Sequence, residues 1–241
     1  MYGIDSIFGR TELLVGSEAM ERIATTRVIV VGVGGVGSWC VEALVRTGIG
    51  HITIVDFDRV CPSNVNRQLP ATQSTLGELK VEVLRKRMLD INPGVEVEAR
   101  AEMYTAETAD AFALGEYDYV IDAIDSLDNK ALLIRRACEV GAGTRLFSSM
   151  GAAMKLDAGR IGVAEFWSVK GDPLAAALRR KFKKSGEFPR RKFKCVYSDE
   201  LVKNRGEQPA EGKRVNGTLA HITAIFGFTL ASLVVRDLVS R

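Results

Sequence analysis

Hydrophobic and polar positions alternate between two patterns along the first 150 residues. Short apolar runs read as strands at 28–32, 51–56, 95–99, 118–123 and 145–149. Between them, helical spacing predicts helices at 37–47, about 77–90, 105–114 and 128–140. Asn92-Pro93-Gly94 marks a turn. Repeated strand–helix units predict an α/β chain with a doubly wound, mainly parallel sheet. After Gly151 the pattern weakens. A strand is expected at 160–166 and a short helix at 173–183, followed by basic residues and a 203–216 segment read as mobile loop. Residues 219–235 are apolar almost all round. At 17 residues, with His221 and several hydroxyls, they read as a buried or subunit-interface helix, so membrane association is not expected.

The first strand runs straight into Gly32-Val33-Gly34-Gly35-Val36-Gly37. In such a turn Gly32 permits the tight bend, Gly34 and Gly35 let backbone approach a phosphate, and Gly37 lets helix and strand pack closely. The positive end of the next helix then faces an anion. Asp56 ends the second strand, where a carboxylate either accepts hydrogen bonds from a ribose or caps a turn. To this point NAD and ATP are equally served. Arg67, Lys80 and Asp125 favour ATP: all lie beyond strand ends or at helix starts, where two cations and a carboxylate suit a triphosphate with Mg2+. Each also has a plainer reading. Arg67 would form a surface ion pair, Lys80 would be solvated between Glu78 and Glu82, and Asp125 would cap the helix after it.

Charge is uneven. The chain carries a net +3, yet Arg179–Lys194 holds nine Lys/Arg against one Glu, so the remainder is net negative. Such a stretch is either a solvated loop or a contact for a polyanion. Phe182, Phe188 and Phe193 lie within it and would stack on unpaired bases or anchor the stretch to the core. The four cysteines are far apart and form no CxxC pair, which suits reduced thiols in a cytoplasmic protein without a zinc site. MYGIDSIFGR has no apolar core, so no secretory signal is expected.

Taken in order, GxGGxG, Asp56-x-Asp58, Asn64-x-Asn66-Arg67-Gln68, Gly77-x-x-Lys80 and Asp122-x-x-Asp125 resemble the ubiquitin-activating-type adenylyltransferases. Bacterial members of that family activate molybdopterin and thiamine sulfur carriers. The resemblance covers about residues 5–150 and implies a Rossmann-like ATP-binding core at 27–150, an N-terminal arm at 1–26 and a C-terminal extension at 151–241. The extension would carry a basic insertion at 179–216 and an apolar helix, all in one domain. It also implies roles. Gly32, Gly34, Gly35, Gly37, Asp56 and Asp58 would bind the nucleotide, with Asp56 on the ribose. Arg67 and Lys80 would contact phosphates, Asp125 would hold Mg2+, and Asn64 would help orient the site. Arg10, in Phe8-Gly9-Arg10-Thr11, would reach the partner's ATP site in a homodimer. The family chemistry is attack of a carboxylate on the α-phosphate, giving an acyl-adenylate and pyrophosphate.

Further matches at Thr47-Gly48-Ile49-Gly50, Val60-Cys61, Gly171-Asp172-Pro173-Leu174 and Thr223–Phe228 resemble one subfamily, the tRNA threonylcarbamoyladenosine dehydratases. They extend the likeness over nearly the whole chain, most loosely at 176–216. This resemblance implies adenylation of the threonyl carboxylate beside the anticodon, then ring closure by the carbamoyl group with loss of AMP. It makes tRNA, not DNA, the partner of Arg179–Lys194. A cysteine desulfurase or sulfur acceptor as further partner, and a monovalent cation beside Mg2+, are left open. The alternative reading is an adenylyltransferase acting on the C-terminus of a ubiquitin-like sulfur carrier.

Overall fold

The computed structural model describes residues 6–208 and 215–241; the remainder of the expected N-terminal arm and of the 179–216 insertion lies outside these residues. Seven strands form one sheet: β1 (Arg27–Val31), β2 (His51–Val55), β3 (Glu96–Arg100), β4 (Tyr119–Asp122), β5 (Arg145–Ser149), β6 (Ile161–Glu165) and β7 (Lys194–Ser198). Their order is β3-β2-β1-β4-β5-β7-β6, and only β6 runs antiparallel. This is the Rossmann-like, doubly wound α/β arrangement that the alternating pattern predicts. The order reverses between β1 and β4, which opens a crevice beyond their carboxyl ends. β1, β2 and β4 are buried along almost their whole length, as parallel strands covered on both faces must be.

Among the described residues seven helices accompany the sheet: α1 (Gly9–Val15), α2 (Ser17–Thr25), α3 (Gly37–Thr47), α4 (Lys80–Ile91), α5 (Leu127–Glu139), α6 (Pro173–Ser185) and α7 (Ala220–Val239). One core forms between the sheet and the side chains of α2, α3, α4 and α7; the other is built from α5, α6 and the 104–117 segment. α7 is long and apolar enough to cross a membrane by length and composition. Here it packs along α3, where a Cβ on Gly227 would lie 2.4 Å from the Val36 carbonyl oxygen. That close approach makes α7 the support of the glycine turn.

Two expectations change, and the N-terminal arm acquires helices that the sequence reading left unassigned. The helix expected at 105–114 is replaced by 3-10 turns at Ala109–Phe112 and Leu114–Glu116, broken by Ala113 at φ +43°. The arm contains α2, whose Ala19, Met20 and Ile23 are buried on one face. Arg179–Lys194 is not a continuous loop: its first residues complete α6 and its last begins β7, which pairs between β5 and β6. Within it Phe182 and Phe193 are buried against Phe166, and Phe188 is exposed.

Candidate functional site

A cavity of about 820 Å3 opens at the carboxyl edge of the sheet, at the β1/β4 reversal. Its floor is the glycine turn. Gly32 has φ +89°, and a Cβ there would lie 2.7 Å from the Ala123 carbonyl oxygen; a Cβ on Gly37 would lie 1.9 Å from the Gly32 oxygen. These two glycines are set by packing, and Gly37 does not line the cavity. Gly34 and Gly35 do line it, and their amides have no backbone partner among the described residues. Beside Gly34, the buried Gln68 has its Oε1 unpaired among the described residues. A glycine-formed cradle, free amides at a helix start and an orphaned polar atom fit a ligand carrying both phosphate acceptors and hydroxyl donors.

Asp56 sits at the rim of this cradle. Its Oδ2 accepts from the Val33 amide at 2.9 Å and its Oδ1 from the Asp58 amide at 2.9 Å. It therefore does fix a turn, and it faces the cavity as well. Burial pushes its carboxyl above the ordinary value, while Lys80 and the two amides oppose that rise. Lys80, first residue of α4, is only 3% exposed and donates to Asp58 Oδ2 at 2.7 Å. The reading of Lys80 as a solvated helix residue fails. Its partner Asp58 is half exposed, so the pair is open toward the cavity that both residues line.

Arg67 lies beside the glycine turn, where a Cβ on Gly35 would be 3.6 Å from its Cγ. One guanidinium nitrogen donates to the Ser63 oxygen and to Asn66 Oδ1, both at 2.8 Å, and no carboxylate pairs with it among the described residues. Its carbonyl oxygen accepts from Trp39 Nε1 and Thr223 Oγ1, which ties the loop to α3 and α7. Asn64 does not line the cavity. Its Oδ1 accepts from the Cys61 amide and its carbonyl from the Arg67 and Gln68 amides, so it shapes the loop that presents them. Asp125 is exposed, lines the cavity and follows β4. It does not cap α5, whose capping position is Ser126. Arg10 is exposed on α1 and does not line the cavity of its own chain.

Sequence reasoning named Asp122 only as part of a motif and missed the buried charge network behind these residues. Lys130 and Asp122 are both fully buried and pair at 2.8 Å. Ser148 donates to Asp122 Oδ2, Asp122 Oδ1 accepts from the Ile124 amide, and Lys130 donates to the Ile124 oxygen. The network pins the backbone leading to Asp125. A lysine in phase with Leu133, Ile134 and Ala137 on the apolar face of α5 was the available signal. Lys155 also went unnoticed. It lines the far wall, 2% exposed, and donates to the Ser198 and Glu200 carbonyl oxygens at 2.9 and 2.6 Å; burial pushes its ammonium below the ordinary value. Asp172 Oδ1 caps α6 through the Ala175 amide, and its Oδ2 accepts from Gly151 in the same wall. Burial pushes this carboxyl up against those hydrogen bonds.

The site thus offers a phosphate cradle, the cationic side chains of Arg67 and Lys80, the carboxylates of Asp56, Asp58 and Asp125, and space beyond them for a second reactant. A model of the ThiF family matches residues 8–241. A tRNA threonylcarbamoyladenosine dehydratase of Bacillus subtilis is 38% identical over 242 residues, spanning 96% of this chain and 94% of the relative. Crystal structures of the E. coli tRNA N6-threonylcarbamoyladenosine dehydratase TcdA are also similar. Its complex with ATP aligns with TM-score 0.85 and 36% identity over 97% of this chain and 93% of that one. The AMP complex aligns with TM-score 0.87 and 35% identity over 100% and 98%. With a family match over almost its entire length and close relatives of matching extent, the chain belongs to the ThiF family, within its tRNA threonylcarbamoyladenosine dehydratases.

Proposed function

We propose that this chain dehydrates N6-threonylcarbamoyladenosine in tRNA, using ATP. The observation that carries the reading is the single cavity. It joins the glycine turn, Asp56, Lys80, Arg67 and Asp125 at one end to the 150–155 wall, Leu201 and Thr218 at the other. A nucleotide and a second reactant fit together in such a volume. The near full-length likeness to named dehydratases, one of them solved with ATP and with AMP, supports it.

The glycine turn would hold the phosphates, with Asp56 accepting from the ribose. Asp58 holds Lys80 in place, and Lys80 and Arg67 offset the negative charge that otherwise keeps a carboxylate away from the α-phosphate. The threonyl carboxylate oxygen attacks the α-phosphorus, the bond to the bridging oxygen breaks, and pyrophosphate leaves. The carbamoyl group then attacks the activated acyl carbon within the same molecule. The ring closes with loss of a proton, and AMP departs with the oxygen that makes the net change a dehydration. No protein nucleophile is consumed. Mg2+ would be held by Asp125 and would further neutralise the phosphates.

Arg179–Lys194 would meet tRNA phosphates, and a tRNA substrate suits work in the cytoplasm. Ile7, just before α1, and Leu13 and Leu14 on it face solvent in the same segment as Arg10. That apolar surface suits a homodimer in which Arg10 enters the partner's cavity. The test is mass spectrometry of nucleosides from modified tRNA incubated with the protein, ATP and Mg2+. Loss of one water from threonylcarbamoyladenosine is expected. Unchanged nucleosides, with ATP–pyrophosphate exchange stimulated by a carrier ending in Gly-Gly, would overturn the reading in favour of the sulfur-carrier branch.

A further inference from the structure

α6 joins two places on the molecular surface. Its first residues, Pro173 and Leu174, line the ATP-site cavity at the carboxyl edge of the sheet. Its 13 residues then run about 20 Å, at 1.5 Å per residue, toward the opposite edge. Near its far end Phe182 packs against Phe166 and Trp167. The latter two follow the last residue of β6, where the Phe166 amide donates to the Phe193 oxygen just before β7 begins. Neither Phe182 nor the two residues after β6 line the cavity, so this end of α6 lies outside it.

An aromatic pair faces solvent there. Trp167 is 37% and Phe188 47% exposed, with ring centroids 6.1 Å apart and planes tilted by 42°. Behind them, Phe166, Phe182 and Phe193 form a buried aromatic base. Exposed rings held on a rigid apolar base are poorly placed for core packing but well placed to receive another π face.

The charges around the pair separate into two groups. Arg179 donates to the Phe166 oxygen, Lys181 pairs with Asp128, and Arg191 donates to the Ala137, Cys138 and Gly141 oxygens at the end of α5. These three are structural. Arg180, Lys183, Lys184, Arg190 and Lys192 make no ion pair or side-chain hydrogen bond among the described residues. Five unpaired cations beside two exposed rings match a single-stranded polyanion with stacking bases, and match an apolar protein surface poorly.

We infer that Trp167 and Phe188 form a stacking platform for an unpaired base of the substrate RNA, outside the cavity that takes the reacting nucleotide, with Arg180, Lys184 and Arg190 holding the adjoining phosphates. This rests on the tRNA reading above. Because neither ring lines the cavity, the platform sets substrate affinity without touching the chemistry.

The test compares W167A/F188A, F188A and W167F with R180Q/K184Q, using tRNA bearing threonylcarbamoyladenosine. Removing the platform should raise the tRNA KM about 5- to 150-fold, the range of one lost stack, while kcat at saturating tRNA and the KM for ATP stay within twofold. W167F, which keeps a π face, should lie near wild type. F188A removes a half-exposed ring and keeps the experiment informative should the double variant lose its fold. The slope of log affinity against log salt should be unchanged in F188A and should flatten by about 0.7 per lost phosphate contact in R180Q/K184Q. A tRNA KM within twofold of wild type in folded F188A and W167A/F188A overturns the platform and leaves the patch to another occupant, a protein included. A wild-type protein that dehydrates no tRNA would instead remove the functional reading, so the two failures are distinguishable.

Discussion

Two lysine–aspartate pairs, one lining the cavity and one buried behind the residues that line it, differ in what encloses them. Lys130–Asp122 is shut inside the fold, both side chains fully buried, with Ser148 and the Ile124 backbone completing its hydrogen bonds. Lys80–Asp58 is buried on the lysine side only; its aspartate is half exposed and both residues line the cavity. The closed pair has no charge to lend to a ligand, so it sets geometry. The open pair keeps Lys80 in place through one carboxylate oxygen at 2.7 Å and leaves the ammonium beside the glycine cradle. Burial of a charge alone therefore does not mark a functional residue. Burial with one side open to a cavity does.

The largest effect should come from breaking the closed pair. Lys130→Met leaves Asp122 ionised and uncompensated in the interior, a change that costs about 3–5 kcal/mol. Urea denaturation should show that loss, and adding Asp122→Asn should recover part of it because the two sites are coupled. A cost below about 1 kcal/mol for Lys130→Met would mean that the pair does not hold the β4–α5 turn. Lys80→Met should behave in the opposite way. Water can solvate its half-exposed partner Asp58, so stability should fall by no more than ~1 kcal/mol. Catalysis should fall about 10²–10³-fold, as when one preorganised donor to developing charge is removed. Lys80 also counters the burial that raises the Asp56 carboxyl. Without it that carboxyl rises further, so the acid limb of the pH–rate profile should move to higher pH. An unchanged limb and near-normal rates would dissolve the contrast between the pairs.

The open pair was more legible in the sequence than the closed one, for a physical reason. Lys80 and Asp58 fall in a run of motifs ordered by local spacing, and the glycine turn announces the strand–helix junction they surround. Lys130 and Lys155 are defined by what they touch, and Lys155 touches only carbonyl oxygens 43 and 45 residues further on. β7 illustrates the same limit at the level of the fold. Lys194–Ser198 is a short run beside a cationic stretch, and it becomes a strand because β5 and β6 offer edges on both sides. The expected helix at 105–114 failed for a local reason instead: short 3-10 turns and the positive φ of Ala113 interrupt it. By contrast, β1, β2 and β4 are buried on both faces, so their apolar runs carry the whole signal.

The same distinction between saturated and free cations predicts opposite behaviour for adjacent arginines. Arg191 donates to the Ala137, Cys138 and Gly141 oxygens, satisfying carbonyls that the end of α5 would otherwise leave exposed. Arg190 makes no side-chain hydrogen bond or ion pair among the described residues and is exposed. Arg191→Ala should destabilise the protein by about 1–2 kcal/mol through lost charge-assisted hydrogen bonds, with the salt dependence of tRNA affinity preserved. Arg190→Ala should leave stability within about 0.5 kcal/mol and flatten that salt dependence. Thermal denaturation and tRNA titration over a salt series separate the two. Equal effects of both substitutions on salt dependence would mean that Arg191 releases α5 to meet RNA, and that its three hydrogen bonds do not survive binding.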